Sequence, residues 1–100
     1  MNDSARDEGL ERMRAELDQL DKQLLQSVRD RIRICLRIGE YKRENSIPMM
    51  QPHRVNLVHE RACQFGLENG IDTDFLRQLY DTIIAETCRL EDEVIGKGNQ

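Results

Sequence analysis

The feature that most constrains the fold is a long run of helical periodicity near the N-terminus. Apolar residues recur at spacings of three and four, as on one helix face, at Leu10, Met13, Leu17, Leu20 and Leu24, and then again at Ile34, Ile38 and Tyr41. No proline interrupts the run before Pro48. Gly39 costs a helix only about 1 kcal/mol, so it is either simply tolerated or allows a close helix approach near a ligand. The pattern predicts one helix from Ser4 or Ala5 to about Glu44, roughly 60 Å long.

A helix of that length does not fit a small compact monomer. The chain has 100 residues, enough for one domain. A compact domain of this size has a radius of gyration of about 13 Å, and two shorter helices cannot cover such a rod from one side. We therefore expect a single domain over residues 1–100 that lies against a second copy of itself, as an intertwined, obligate homodimer.

Two shorter helices are expected after the long one. The residue before a proline avoids the α region, so the first helix should stop at Ile47-Pro48, and Pro52 suits the first turn of the next helix. This second helix, over residues 52–69, carries Val55, Val58, Ala62 and Phe65 on one face. Asp72 has the side chain of an N-cap, which predicts a third helix over residues 73–95. Its apolar stripe is Leu76, Tyr80, Ile83, Thr87, Leu90 and Val94, and residues 96–100 are expected to fray.

Composition supports an all-α protein of the cytoplasm. There is no Trp, and only two Tyr and two Phe, which disfavours a β-sandwich or barrel core. The net charge of −4 argues against a general nucleic-acid binder, and the polar N-terminal residues are not expected to form a signal peptide or a membrane anchor. Cys35, Cys63 and Cys88 form no C-x-x-C pair and are expected to be buried structural thiols in a reduced compartment. His53 and His59 lack the spacing of a metal pair, so no metal site is expected.

Polar residues interrupt the apolar stripes. Arg31 lies on the stripe of the first helix, where a buried cation is costly unless it is paired, and Arg14 lies one step from it. Lys42 follows Arg31 by eleven residues, three turns of helix, so the two side chains point nearly the same way. In the third helix, Thr87 interrupts the stripe and Glu91 follows four residues later.

These polar residues have two interpretations. In the first, they are snorkelling side chains of an ordinary helical dimer, which bury their stems and keep their charged ends in water. In the second, several cations, with Arg54 at the start of the second helix, converge in a polar pocket and bind a small dicarboxylate. No Ser-His-Asp or Cys-His nucleophile set is recognisable, so an enzyme with this site works by positioning and electrostatics. A helical dimerisation or regulatory module without activity also stays open.

The ordered set of residues resembles the all-helical chorismate mutase family over roughly Leu10 to Asp92. The resemblance is carried by Met13-Arg14, Leu20-Asp21, Leu24-Leu25, Arg31, Ile38-Gly39-Glu40-Tyr41-Lys42, Ile47-Pro48, Arg54, Leu79-Tyr80, Ile83-Ile84 and Thr87. It implies an interlocked dimer of three-helix chains with two active sites. It also implies a Claisen-type rearrangement of a chorismate-type molecule that needs no cofactor and no metal.

The resemblance also implies roles for single side chains. Arg31 and Arg14 would each hold a substrate carboxylate, with Arg14 reaching across from the other subunit. Lys42 would contact the ether oxygen and a carboxylate. Arg54 would support the substrate, and Thr87 stands where the family usually has Ser.

Three positions depart from the family pattern. Gln51 and Val55 stand where the family usually has Asp and Glu, which hold the C4 hydroxyl of chorismate. Glu91 replaces the Gln that faces the ether oxygen. A carboxyl group there must be protonated to donate a hydrogen bond, unless it serves an amine at C4 instead.

The departures bring the chain closer to the 4-amino-4-deoxychorismate mutases of antibiotic pathways. Shared segments are Pro48-Met49-Met50-Gln51-Pro52 and Cys88-Arg89-Leu90-Glu91-Asp92. We therefore expect a mutase that converts 4-amino-4-deoxychorismate to 4-amino-4-deoxyprephenate, with Lys42 and Glu91 as catalytic residues. Chorismate mutase is the alternative, and isochorismate pyruvate lyase, which shares a Pro-x-Arg-Val turn, is a further one. Met49 and Met50 are interpreted as packing residues at the turn.

Overall fold

The computed structural model describes residues 2–48 and 52–98, which form three α-helices and no β-strand. Helix α1 spans Asn2–Glu44, α2 spans Pro52–Asn69 and α3 spans Thr73–Gly98. The prediction of an all-α fold is confirmed. Over the residues described, none of the three helices combines the length and the apolarity that crossing a membrane requires. Met49 and Met50, interpreted above as packing residues, lie outside the described part of the chain.

The two outer helix ends differ from those expected. Helix α1 begins at Asn2 rather than at Ser4 or Ala5. Helix α3 continues to Gly98, past the expected end at Ile95, so the prediction of fraying was wrong for residues 96–98, and residues 99 and 100 lie outside the described part of the chain. No proline follows to stop α3, and each glycine in a helix costs only about 1 kcal/mol, which the preceding turns can offset.

Helices α1 and α2 end in the same kind of cap. After α1, the amide of Ile47 donates to the carbonyl of Lys42 at 2.9 Å, and Ser46 has a φ of 55°. After α2, the amide of Ile71 donates to the carbonyl of Gly66 at 2.9 Å, and Gly70 has a φ of 68°. Both are Schellman motifs, which need one residue in the left-handed region. Glycine takes that conformation without a Cβ penalty, whereas Ser46 takes it at a cost.

Asp72 caps the N-terminus of α3 as the sequence predicts. Its Oδ1 accepts a hydrogen bond from the amide of Phe75 at 3.0 Å. Asp74 lies in the first turn, where a negative charge is favourable to the helix dipole. These two residues fix where the third helix starts.

Helices α2 and α3 pack against each other as an antiparallel pair. Gly66, near the end of α2, is buried at the closest approach. A Cβ at this position would lie 2.8 Å from the carbonyl oxygen of Ile71 and 3.1 Å from Cδ1 of Leu76. The close approach therefore requires a glycine at position 66. Two turns earlier in α2, Nε2 of His59 lies 2.7 Å from Oδ1 of Asp81 on α3.

The buried face of α2 differs by one position from the expected stripe. Ala62 is buried, and Val55 and Val58 are half-buried, as predicted. Phe65 is 55% exposed, and its neighbour Gly66 takes the buried position. Phe65 is therefore outside the contact that α2 makes within one chain, whose closest approach is at Gly66.

The chain divides into two compact units, residues 1–33 and residues 34–100. In the first unit one side of α1, called here the apolar face of α1, is exposed; it consists of Leu10, Met13, Leu17, Leu20 and Leu24. In the described part of the chain no large side chain is fully buried. One chain by itself therefore covers little of its apolar surface. The single-domain assignment stays a prediction.

Candidate active site

Lys42 and Glu91 form an ion pair between the ends of α1 and α3. Nζ of Lys42 lies 3.5 Å from Oε2 of Glu91, and the two side chains are 14% and 9% exposed. A charge pair so far out of water interacts more strongly than one on the surface. An ammonium has three donor hydrogens, so Lys42 can bind a ligand and Glu91 together. The structure thus brings together the two residues that the sequence predicts to be catalytic.

Gly39 brings the two helices close enough for this pair to form. It is buried, and a Cβ at its position would lie 3.4 Å from both Cα and Cγ of Glu91. Lys42 follows Gly39 by almost one turn, which directs its stem toward the same carboxylate. Of the two interpretations of this glycine, the close helix approach is the one observed.

The contact between α1 and α3 continues one turn further. Nη1 of Arg43 donates a hydrogen bond to the carbonyl of Val94 at 3.3 Å. Because later residues of α1 meet later residues of α3, the two helices run parallel here. The register places Gly39 beside Glu91 and Arg43 beside Val94.

Thr87 lies one turn before Glu91 on α3. Thr87 and Glu91 are the buried polar residues among those described. The Thr87 hydroxyl lies 3.1 Å from the carbonyl oxygens of both Ile83 and Ile84 and donates to one of them at a time. Such bonds to the preceding turn fix the rotamer of a threonine. Its oxygen lone pairs remain able to accept a hydrogen bond from a ligand.

The Cys88 thiol lies beside the ion pair. Burial raises the pKa of this thiol, and the negative charge of Glu91 raises it further. Cys35, Cys63 and Cys88 are all free, and each is half-buried in a single chain. Three helices of a single chain do not bury these positions completely.

Arg14 and Arg31 belong to the first unit. Nη1 of Arg14 lies 2.8 Å from Oε1 of Glu11, one turn earlier, and both side chains are exposed. Arg31 is also exposed. A carboxylate-binding role for either residue stays a prediction.

The remaining predicted residues lie near the start of α2. Arg54 is exposed in its first turn, and Val55, beside it, is half-buried. Gln51 lies outside the described residues. Elsewhere in the described ranges, no group of three or more His, Cys, Asp or Glu side chains is arranged to hold a metal ion.

Comparison with known proteins agrees with the helical arrangement. The family model for chorismate mutase type II matches residues 13–92. No solved structure matches the chain significantly. A 26% identical stretch of 84 residues, 84% of this chain, matches 22% of a bifunctional chorismate mutase/prephenate dehydratase from Buchnera aphidicola.

Two relatives are much more similar. A 4-amino-4-deoxychorismate mutase from Streptomyces pristinaespiralis is 60% identical over 89 residues, which cover 89% of this chain and 69% of that protein. A protein of the same name from Streptomyces venezuelae is 51% identical over 88 residues, which cover 88% of this chain and 85% of that protein. The chain belongs to the chorismate mutase type II family.

Proposed function

We propose that the protein is an isomerase that converts 4-amino-4-deoxychorismate to 4-amino-4-deoxyprephenate. The observation that carries this proposal is the ion pair of Lys42 and Glu91, 3.5 Å apart and largely out of water. The names of the relatives at 60% and 51% identity support the amino compound as the substrate. We also propose that it acts in the cytoplasm, a reducing compartment that suits a chain with three free cysteines.

The rearrangement breaks the ether C–O bond and forms a C–C bond within one molecule, so no atom is gained or lost. Negative charge grows on the ether oxygen as the bond lengthens. We assign the Lys42 ammonium to donate a hydrogen bond to that oxygen, where the low exposure of its side chain strengthens the interaction. Removing one such donor typically lowers the rate about 10²–10³-fold.

Glu91 has two possible roles in this reaction. As a protonated acid it would donate to the ether oxygen. As a carboxylate it would orient Lys42 and accept a hydrogen bond from an ammonium at C4 of the substrate. The contact with Lys42 supports the second role, which we adopt.

The two roles of Glu91 make different predictions for Glu91→Gln. A donor role predicts that wild-type activity falls as pH rises and that the variant flattens this profile. The carboxylate role predicts that the variant loses its preference for the amino compound over chorismate while the profile keeps its shape. Measuring kcat/KM for both substrates across pH distinguishes them, and a flattened profile with unchanged preference contradicts our assignment.

We further propose that the two substrate carboxylates are held by Arg31 and by Arg14 of the partner subunit in a homodimer. Arg54 then supports the substrate, and the Gln51 amide oxygen accepts from the amine. The exposed apolar face of α1 supports association, because it needs a cover that the described chain does not supply.

Mixing two inactive variants tests the shared site. Arg14→Ala and Arg31→Ala homodimers each lack one carboxylate ligand at both sites. A mixed dimer has one complete site if Arg14 acts across the interface, so equal mixing after unfolding and refolding should restore about a quarter of wild-type activity. No recovery, with mixed dimers shown by mass spectrometry, contradicts the arrangement.

The function is tested by incubating the purified protein with 4-amino-4-deoxychorismate, chorismate and isochorismate separately, with products identified by mass spectrometry. Fast rearrangement of the amino compound is expected. Preference for chorismate would make the protein an ordinary mutase, and release of pyruvate from isochorismate would make it a lyase. Lys42→Met should be inactive, whereas the surface variant Arg89→Met should keep activity. A folded protein that turns over none of the three would be a helical module without this activity.

A further inference from the structure

The register between α1 and α3 aligns two cysteines. Gly39 faces Glu91, and Arg43 donates to the Val94 carbonyl. From the first of these contacts to the second, the chain advances four residues on α1 and three on α3. The same step taken backward leads from Gly39 to Cys35 and from Glu91 to Cys88. This register places the two cysteines opposite each other, one turn before Gly39 and Glu91.

The separation of the helices suits a bond between these thiols. A Cβ at Gly39 would lie 3.4 Å from Cα of Glu91, so the two backbones are almost in contact. A disulfide needs facing Cα atoms about 4.4–6.8 Å apart, a range that so close a helix pair provides one turn away. Cys35 and Cys88 are both free, so neither is already in a disulfide. Both are half-buried, so a small disulfide reagent can reach them.

The electrostatics of Cys88 agree with this register. Its pKa is raised by burial and then by Glu91, with smaller contributions from Asp92 and from Cys35, while Lys42 opposes them. An effect of Cys35 on the pKa of Cys88 requires the two thiols to lie near each other.

We propose that Cys35 and Cys88 are an oxidisable dithiol that closes to an intrachain disulfide linking α1 to α3. This modification site lies beside the proposed active site and does not depend on which substrate that site binds.

A dialkyl disulfide such as glutathione disulfide supplies the oxidising equivalents. One cysteine thiolate attacks a sulfur of glutathione disulfide and expels a glutathione thiolate, which leaves a mixed disulfide on the protein. The second cysteine thiolate attacks the protein sulfur of that bond and expels the second glutathione. Two protein thiols are oxidised and one glutathione disulfide is reduced, and the two protons lost by the protein thiols are taken up, through solvent, by the two expelled glutathione thiolates to give two glutathiones.

The test uses the full chain with Cys63→Ser, which keeps only the two facing cysteines. The protein is incubated with glutathione disulfide, digested without reduction and mapped by mass spectrometry. We expect a peptide pair joined through Cys35 and Cys88, with the loss of two hydrogen atoms from the intact chain. The melting temperature should rise by about 10 °C in the oxidised form, because the link closes a long loop in the unfolded chain, and should return on reduction.

Cys35→Ser and Cys88→Ser are the matched controls, and neither should form an intrachain link or shift its melting temperature. Wild type should form the same link as Cys63→Ser. The proposal is overturned if the two thiols of Cys63→Ser stay free while dithiothreitol in a parallel tube is oxidised. It is equally overturned if the cysteines join only between chains, or if wild type links through Cys63. The result with Cys63→Ser decides the proposal by itself, so the test still works if one of the two control variants fails to fold.

Discussion

Lys42 and Glu91 should stabilise the fold as a coupled pair. Lys42→Met keeps the apolar stem and removes the ammonium, which leaves the Glu91 carboxylate out of water without its cation. Breaking a buried pair costs about 3–5 kcal/mol. The two side chains are 14% and 9% exposed, but the 3.5 Å contact is longer than a strong charge-assisted bond of about 2.8 Å. We therefore expect a loss of about 2–3 kcal/mol in the free energy of unfolding.

The coupling is measured by a double-mutant cycle. Glu91→Gln should also lower stability, because it leaves the Lys42 ammonium without its carboxylate. The double variant should cost less than the two single losses together, by about 1–2 kcal/mol, because neither partner is then left alone. Urea unfolding followed by circular dichroism at one fixed protein concentration gives all four values, since stability linked to association depends on concentration.

An exposed pair on α3 is the matched control. Nε of Arg89 lies 2.6 Å from Oε1 of Glu86, closer than Lys42 lies to Glu91, but both side chains are about half exposed, at 57% and 48%. Water screens such a pair, so Arg89→Met should be much less costly than Lys42→Met. If the losses at Lys42 and Glu91 add within about 0.3 kcal/mol, or if Arg89→Met is equally costly, burial does not make the pair strong.

Three further results are expected. Gly66→Ala should lower the free energy of unfolding by about 1–3 kcal/mol, because its Cβ would meet a backbone carbonyl oxygen at 2.8 Å. Gly9→Ala, whose Cβ would have nothing within 4 Å, should raise the free energy of unfolding by up to about 1 kcal/mol in the same urea titration. Asp81→Ala removes the 2.7 Å contact with His59 and should cost about 0.5–1.5 kcal/mol, seen as a lower melting temperature; an unchanged value would mean that this contact does not hold α2 to α3. Because burial raises the pKa of Cys88, its thiolate fraction at neutral pH is below that of a free cysteine, so its alkylation by iodoacetamide, followed by peptide mass spectrometry, should keep accelerating to higher pH than that of glutathione.

The helices were predictable because their ends are marked by local chemistry. Pro48 and Pro52 restrict the backbone on either side of the first turn, and Asp72 supplies an oxygen to the free amides of α3, as the 3.0 Å bond to Phe75 confirms. The cap at Ser46 was not predictable, since a serine in the left-handed region has no sequence signal comparable to a glycine.

The register between α1 and α3 could not be read from periodicity. Each helix shows its own apolar stripe, but which residue of one meets which residue of the other is decided by packing between distant parts of the chain. Family resemblance, rather than spacing, associated Lys42 with Glu91, and the structure brings them together. The stripe of α2 likewise does not reveal that its closest approach to α3 is made at Gly66, a residue without a side chain.

If a homodimer covers the exposed apolar face of α1, the rate of folding depends on the concentration of the chain. In the described part of the chain no large side chain is fully buried, so a lone copy gains little from hydrophobic burial. If a second copy supplies the missing cover, the decisive step is a collision, and its rate increases with the square of the chain concentration. At low abundance, newly synthesised chains would stay longer as unassociated helical intermediates with exposed apolar surface, which chaperones and proteases can bind. The expression level would thus help decide how much of the protein reaches its working form.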